Sequence, residues 1–173
     1  MARLFFALWP DERARAILAG LAREVAGRCG GRAVPAANLH LTLVFLGEVD
    51  PARIATLRGA ADGVAGSAFD LALDVVGGFR RAGVAWAGCR RPPAGLLALQ
   101  SALERRVREA GHSPDARPYA PHLTLARRAR VPVEAAGIET VAWRVGAFAL
   151  VESARGEGAY GTLAEWPLDG GKT

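Results

Sequence analysis

Apolar residues along this chain fall into short bursts whose spacing switches between strand and helix periods. Residues 4–9 form an apolar run closed by Pro10, Asp11 and Glu12, which predicts a buried strand. Ile17, Leu21 and Val25 then recur every four residues, with Arg15, Arg23 and Glu24 on the other side. That spacing predicts an amphipathic helix with the three aliphatics inward, ended by Gly27 and the Cys29, Gly30, Gly31 stretch. A strand is expected over residues 39–46, entered from a turn at 35–38 and left through Gly47. Asp50 followed by Pro51 signals a helix start, because aspartate caps and proline fits the first helical position; Ile54, Leu57 and Ala61 face inward.

The second half repeats this grammar. Residues 69–76 alternate as a strand, Gly77 and Gly78 loosen it, and residues 84–87 make another. Leu96, Leu99, Leu103 and Val107 mark the inner face of a helix that shows Glu104, Arg105, Arg108 and Glu109 to solvent and stops at Gly111. Strands are expected at 122–126, 143–151 and 160–166, with 1–168 as one folded unit and 169–173 as a frayed tail.

Strand, helix, glycine-rich break and strand therefore occur twice, over 4–46 and 84–126. Both copies end on the same tetrapeptide, His40-Leu41-Thr42-Leu43 and His122-Leu123-Thr124-Leu125, an offset of 122 − 40 = 82 residues. The chain has only 3 histidines. With a chance of ~0.08 per matched position, a coincidence at the next three positions among their three pairings has an expectation of roughly 0.002. Side chains alternate along a strand, so each histidine shares a face with its threonine while the leucines point to the core. The same parity sends Arg127 away from His122 and Thr124 unless the strand ends or bulges after Leu125, and gives Phe45 the core-facing sense of the leucines.

Two facing imidazoles suit one kind of chemistry. Imidazole titrates near pH ~6.5, so at neutral pH one ring can accept a proton from water while the other donates to a departing oxygen. Threonine hydroxyls beside them can donate to nonbridging phosphate oxygens and help fix in-line geometry. The second imidazole supplies the proton a metal would otherwise replace, so no metal or other cofactor is called for. A zinc site built from His40, His122 and His112 is the competing reading, but no HExxH or clustered carboxylate accompanies it. The terminal GGKT resembles the end of a phosphate-binding loop without its first glycine or the helix that must follow, and reads as a tail.

Composition narrows the class without choosing a function. The chain has 173 residues, 51% apolar and 23% charged, enough to close a core and unlike a disordered or fibrous chain. Its apolar runs fall far short of the ~20 residues a spanning helix needs. Residues 4–9 are followed by no small-residue cleavage site, and Cys29 and Cys89 lie apart without CxxC spacing. The expectation is a soluble, cytoplasmic protein with free thiols. Net charge is +5, and Lys172 is the one lysine among 22 basic residues. Arginine forks suit phosphate oxygens, although abundant alanine and glycine give codon bias as a second source of that excess.

NLHLTLVFLGEV (38–49) and PHLTLARR (121–128) resemble the paired HxTx signatures of the two-histidine phosphoesterases, nearest their RNA 2′,3′-cyclic phosphodiesterase (2′-5′ RNA ligase) branch. The flanks RLFFALWPDE, VAWAGC and FALVESARGEGAYGTLAEWPL are similar to that family too, so the resemblance covers most of the chain. It implies an α+β fold of two pseudo-symmetric sheet-plus-helix lobes flanking a central cleft, and metal-independent hydrolysis of RNA 2′,3′-cyclic phosphate ends to 2′-phosphomonoesters, reversible as 2′-5′ ligation. His40 is then the proton donor, His122 the proton acceptor, and Thr42, Thr124 and Arg127 the phosphate holders. Bases at single-stranded RNA ends commonly stack on aromatic rings; Phe45, Trp86, Tyr119 and Tyr160 are available, and Tyr119, just before the second motif, is the favoured candidate. A monomer acting on RNA ends, without membrane or metal, is expected. The alternatives are a phosphodiesterase for a small cyclic nucleotide or 2′-5′ oligonucleotide, and a non-catalytic RNA-binding module.

Overall fold

The structure, a computed structural model, describes residues 1–153 and 158–169. In chain order its elements are β1 (Ala2–Leu8), α1 (Glu12–Cys29), β2 (Arg32–Ala33), β3 (Leu41–Val49), α2 (Ile54–Asp62), β4 (Phe69–Phe79), β5 (Val84–Gly88), α3 (Ala94–Glu109), β6 (His122–Arg127), β7 (Ala136–Val145), β8 (Ala147–Glu152) and β9 (Gly161–Pro167). The strands form one 9-stranded sheet in the order β7-β4-β5-β6-β3-β1-β8-β9, with the short β2 on β6. The two halves of this α+β fold are thus arms of a single sheet, β7-β4-β5-β6 and β3-β1-β8-β9, joined where β3 meets β6.

The duplication read from the sequence is present in the topology. β1–α1–β3 and β5–α3–β6 are the same strand–helix–strand unit, and in each the two strands pair antiparallel. Helix α1 packs on β6 and β7 of the other arm, while α3 packs on β3 of the other arm and on β4 of its own. At the seam β3 and β6 pair antiparallel through Leu41 and Leu123.

Local chemistry explains most element ends. Asp11 caps α1, its carboxylate accepting from the Ala14 N–H at 2.8 Å. The buried face of α1 is Ala14, Leu18, Ala22, Val25, Ala26 and Cys29, so Ile17 is a correction: it is 43% exposed. Alanines at four-residue spacing let this helix lie close to the sheet, and large aliphatics alone do not reveal that stripe. Gly27 does not end the helix; Gly30 does, in the left-handed region at φ 64°, its N–H bonding the Ala26 carbonyl. Asp50 accepts from the Ala52 N–H at 2.9 Å and opens a 3₁₀ turn that runs into α2. Gly77 lies within β4 because the Trp86 ring covers it, and a Cβ there would sit 2.5 Å from that ring.

The expected strand over 143–151 is two strands. Gly146 ends β7 at one edge of the sheet, and the chain resumes as β8 beside β1 in the other arm. Asp169 is held by a parallel bridge to Ser67, while the GGKT end and the rest of the expected tail lie outside the described residues.

Candidate active site

The four motif leucines decide which way the histidines face. Leu41, Leu123 and Leu125 are 0% exposed and Leu43 is 2% exposed. Fully burying one leucine is worth roughly 1.5–3 kcal/mol, and a one-residue slip would carry all four to the other face. With that register fixed, His40, Thr42, His122 and Thr124 lie half-buried on the opposite face. Extending the Leu41–Leu123 register places His40 across from Thr124 and Thr42 across from His122. The histidines are then diagonal neighbours, roughly 7–8 Å apart in a regular ladder.

Both rings are anchored in the same way. His40 Nδ1 lies 2.7 Å from the Asn38 carbonyl and His122 Nδ1 lies 2.7 Å from the Ala120 carbonyl, in each case two residues upstream. A carbonyl can only accept, so Nδ1 carries the proton in both rings and Nε2 is the atom left for chemistry. His40 Nε2 lies 3.1 Å from the Thr42 hydroxyl, which donates to it in the neutral ring.

The environments of the two rings differ. Phe5 stacks on His40 at 4.7 Å between centroids, and Trp9 and Tyr160 meet it edge-on at 5.7 and 5.6 Å. His122 has one such neighbour, Phe79, at 5.0 Å. Burial pushes His40 down to about 4, against the Asn38 carbonyl that favours its charged form; the nearby Arg127 and His122 charges lower it further. His122 is also lowered, first by burial and then by Arg127 and Arg117, while the Ala120 carbonyl opposes the shift. Both imidazoles are therefore predominantly neutral at neutral pH.

The parity expected for Arg127 and Phe45 is overturned by a bulge that occurs twice. In β3 the register steps from Thr42 opposite Ala7 to Val44 opposite Phe6, leaving Leu43 as the extra residue. In β6 it steps from Thr124 opposite Trp86 to Ala126 opposite Ala85, leaving Leu125 extra. Both motifs thus bulge at their fourth letter, and both strands flip parity beyond it. Arg127 is exposed and lines the cleft beside His40 and Thr42, where its charge is felt by both rings. Phe45 is likewise not core: it is 37% exposed, lines the cleft, and has the Arg3 guanidinium carbon 5.1 Å from its ring centre.

Phe45 and Thr42 stand between two compartments. One, of about 860 Å³, contains His40, Arg127 and Tyr160; the other, of about 790 Å³, contains His122, Phe79 and Tyr119. Tyr119 packs against the main core and its hydroxyl donates to the Thr42 carbonyl at 3.1 Å, tying the loop before β6 to β3 across the seam. Trp86 pairs opposite Thr124 and leans on Gly77. His112 is not drawn to the other two histidines, since its Nε2 bonds the Leu46 carbonyl at 2.9 Å. Among the described residues no group of histidines, cysteines and carboxylates could hold a metal. Asn38, Phe5, Trp9 and Phe79 are site residues that strand patterns did not reveal; for Asn38 the available signal was that the duplicated motif is preceded by Asn-Leu in one copy and Ala-Pro in the other.

A family model described as the 2′-5′ RNA ligase superfamily matches residues 9–157. RNA 2′,3′-cyclic phosphodiesterase of Escherichia coli is 37% identical over 171 residues, 96% of each chain. The protein of that name from Archaeoglobus fulgidus is 31% identical over 139 residues, 79% of this chain and 78% of its own. The crystal structure of E. coli LigT complexed with 3′-AMP superposes with a TM-score of 0.88 at 35% identity, covering 96% of this chain and 98% of that one.

Proposed function

From the premise that this chain belongs to the 2′-5′ RNA ligase superfamily, we propose that it hydrolyses RNA 2′,3′-cyclic phosphate ends to 2′-phosphomonoesters. The observation that carries this reading is the pair of Nε2 atoms presented from matching strands on either side of the β3–β6 seam. The cyclic phosphate sits between them. His122 Nε2 takes a proton from water, the water oxygen attacks phosphorus, the P–O3′ bond breaks, and His40 Nε2 gives a proton to the departing 3′ oxygen. The 2′ oxygen keeps the phosphate. Thr42, Thr124 and Arg127 hold the nonbridging oxygens, where charge builds in the transition state. Each ring ends in the other's starting protonation state, and exchange with solvent resets the pair. With a 5′-hydroxyl in place of water, the same transfers in the same direction join two strands through a 2′-5′ linkage, and their reverse, with the two rings exchanging roles, reopens it to the cyclic phosphate.

The two imidazoles complete both proton transfers, so the reaction proceeds without a metal. Phe45, with Arg3 above its ring, is the better-placed platform for the terminal base; the hydroxyl of Tyr119 is engaged with β3. Two free thiols, one buried, suit a reducing, cytoplasmic setting, and among the described residues no helix is long and apolar enough to cross a membrane.

The test is hydrolysis of a panel of nucleoside 2′,3′-cyclic phosphates and 2′-5′ dinucleotides in excess chelator. The expected product is the 2′-monophosphate alone, at the same rate with and without chelator. RNA binding with no turnover on any of these substrates would overturn the proposal. The pH dependence carries a sign. The pair works with one proton shared between its rings, and both rings are lowered below the usual 6.5, first by burial. The kcat/KM profile, which reports the free enzyme, is therefore a bell centred on the acid side of 6.5. A bound phosphodiester anion raises both rings, so the kcat bell lies at higher pH; coincident profiles would contradict this.

A further inference from the structure

The two copies of the motif differ at the position two residues before the histidine, which is Asn38 in one and Ala120 in the other. Both backbone carbonyls do the same work, accepting from Nδ1. Only Asn38 adds a side chain, and it is 6% exposed, one of two buried polar residues among those described. That amide is fully used. Its Nδ2 donates to the Gly158 carbonyl at 3.1 Å and its Oδ1 accepts from the Tyr160 N–H at 2.9 Å. A primary amide is the neutral side-chain group that offers a donor and an acceptor side by side, and here the two groups grip the backbone on either side of Ala159. The segment held in this way carries Tyr160, whose ring stands edge-on to both His40 and Phe5 at 5.6 Å.

We propose that Asn38 is a positioning residue: its carboxamide clamps residues 158–160 to the start of β3, seats Tyr160 on the His40 ring, and so makes the two catalytic imidazoles unequal. Its backbone orients the ring and its side chain builds one wall of the ring's enclosure. On the His122 side, where Ala120 offers no such grip, a single aromatic neighbour remains. The inference rests on the reading of His40 as a proton-transfer group. Among the described residues, the titratable or charged groups around His40 are Arg127 and His122 from β6 and the Tyr160 phenol. β1 and the residue following it contribute the Phe5 ring and the Trp9 indole, and β3 the Thr42 hydroxyl. Removing the clamp changes none of these charges; it changes how much water reaches the ring.

The experiment compares wild type, Asn38→Ala and Tyr160→Leu on a nucleoside 2′,3′-cyclic phosphate across pH. It also follows the His40 ring resonances by NMR in the same proteins. Without the clamp the ring is better solvated, so its titration moves up toward 6.5. The acidic limb of kcat/KM moves to higher pH with it, and kcat falls about 10-fold, less than the ~10² lost when a whole general acid or base is removed. Tyr160→Leu leaves the amide in place, removes the wall, and is expected to reproduce the shift if the alanine variant does not fold. A folded Asn38→Ala or Tyr160→Leu protein with lower activity but a wild-type His40 titration would overturn the proposal and leave Asn38 a structural residue. Wild-type activity in His40→Ala would instead overturn the reading on which it rests.

Discussion

Replacing His40 or His122 with alanine is expected to lower kcat on a nucleoside 2′,3′-cyclic phosphate by at least about 10², each variant keeping its fold. The magnitude is that of a lost general acid or base. Because the two transfers belong to one displacement, the double variant should lose far less than the product of the single losses, as residues acting as a unit do. Folding should survive because the rings line the cleft, whereas the leucines beside them fill the core. The measurements are steady-state rates and thermal unfolding on the same preparations. Wild-type turnover by either single variant would remove that ring from the mechanism.

Removing the guanidinium of Arg127 should cost about 10²–10³ in kcat, comparable to deleting one preorganised donor at a developing oxyanion. Arg127→Lys should recover part of this, since an ammonium restores charge but not the two-pronged geometry of guanidinium on phosphate oxygens. The same variants report on the rings. Burial first, and then the Arg127 charge, hold both histidines down, so in Arg127→Ala both titrations move part of the way toward ordinary values, and the kcat/KM bell shifts to higher pH. An alanine variant with unchanged rate and profile would show that the bulge after Leu125 serves packing only.

Those positions also mark where the sequence was legible and where it was not. The paired tetrapeptides, the repeated strand–helix–strand unit and the inward face of α3 follow from periodicity, because alternation and four-residue spacing record which side chains are buried. The bulges at Leu43 and Leu125 leave no periodic trace. One extra residue reverses the side chains that follow it, in β3 until a second shift at Leu46, so strict alternation sent Arg127 and Phe45 to the wrong face. Ile17 failed for a different reason, since an alanine stripe lets α1 approach the sheet more closely than bulky residues would. Gly146 separates two strands in opposite arms within a single apolar stretch, and apolarity alone cannot show a change of partner. The enclosure of His40 was hidden because Phe5, Trp9, Asn38 and Tyr160 come from distant parts of the chain and meet only in the fold.

The central claim, that imidazoles from both arms of the sheet hold one phosphate between them, is tested most directly by titrating ¹⁵N-histidine-labelled protein with a nucleoside 2′-monophosphate in chelator. The Nε2 signals of His40 and His122 should move together, saturate at one equivalent with a single affinity, and leave His112 unchanged. Movement of one ring alone, or of the two rings with separate affinities, would contradict it.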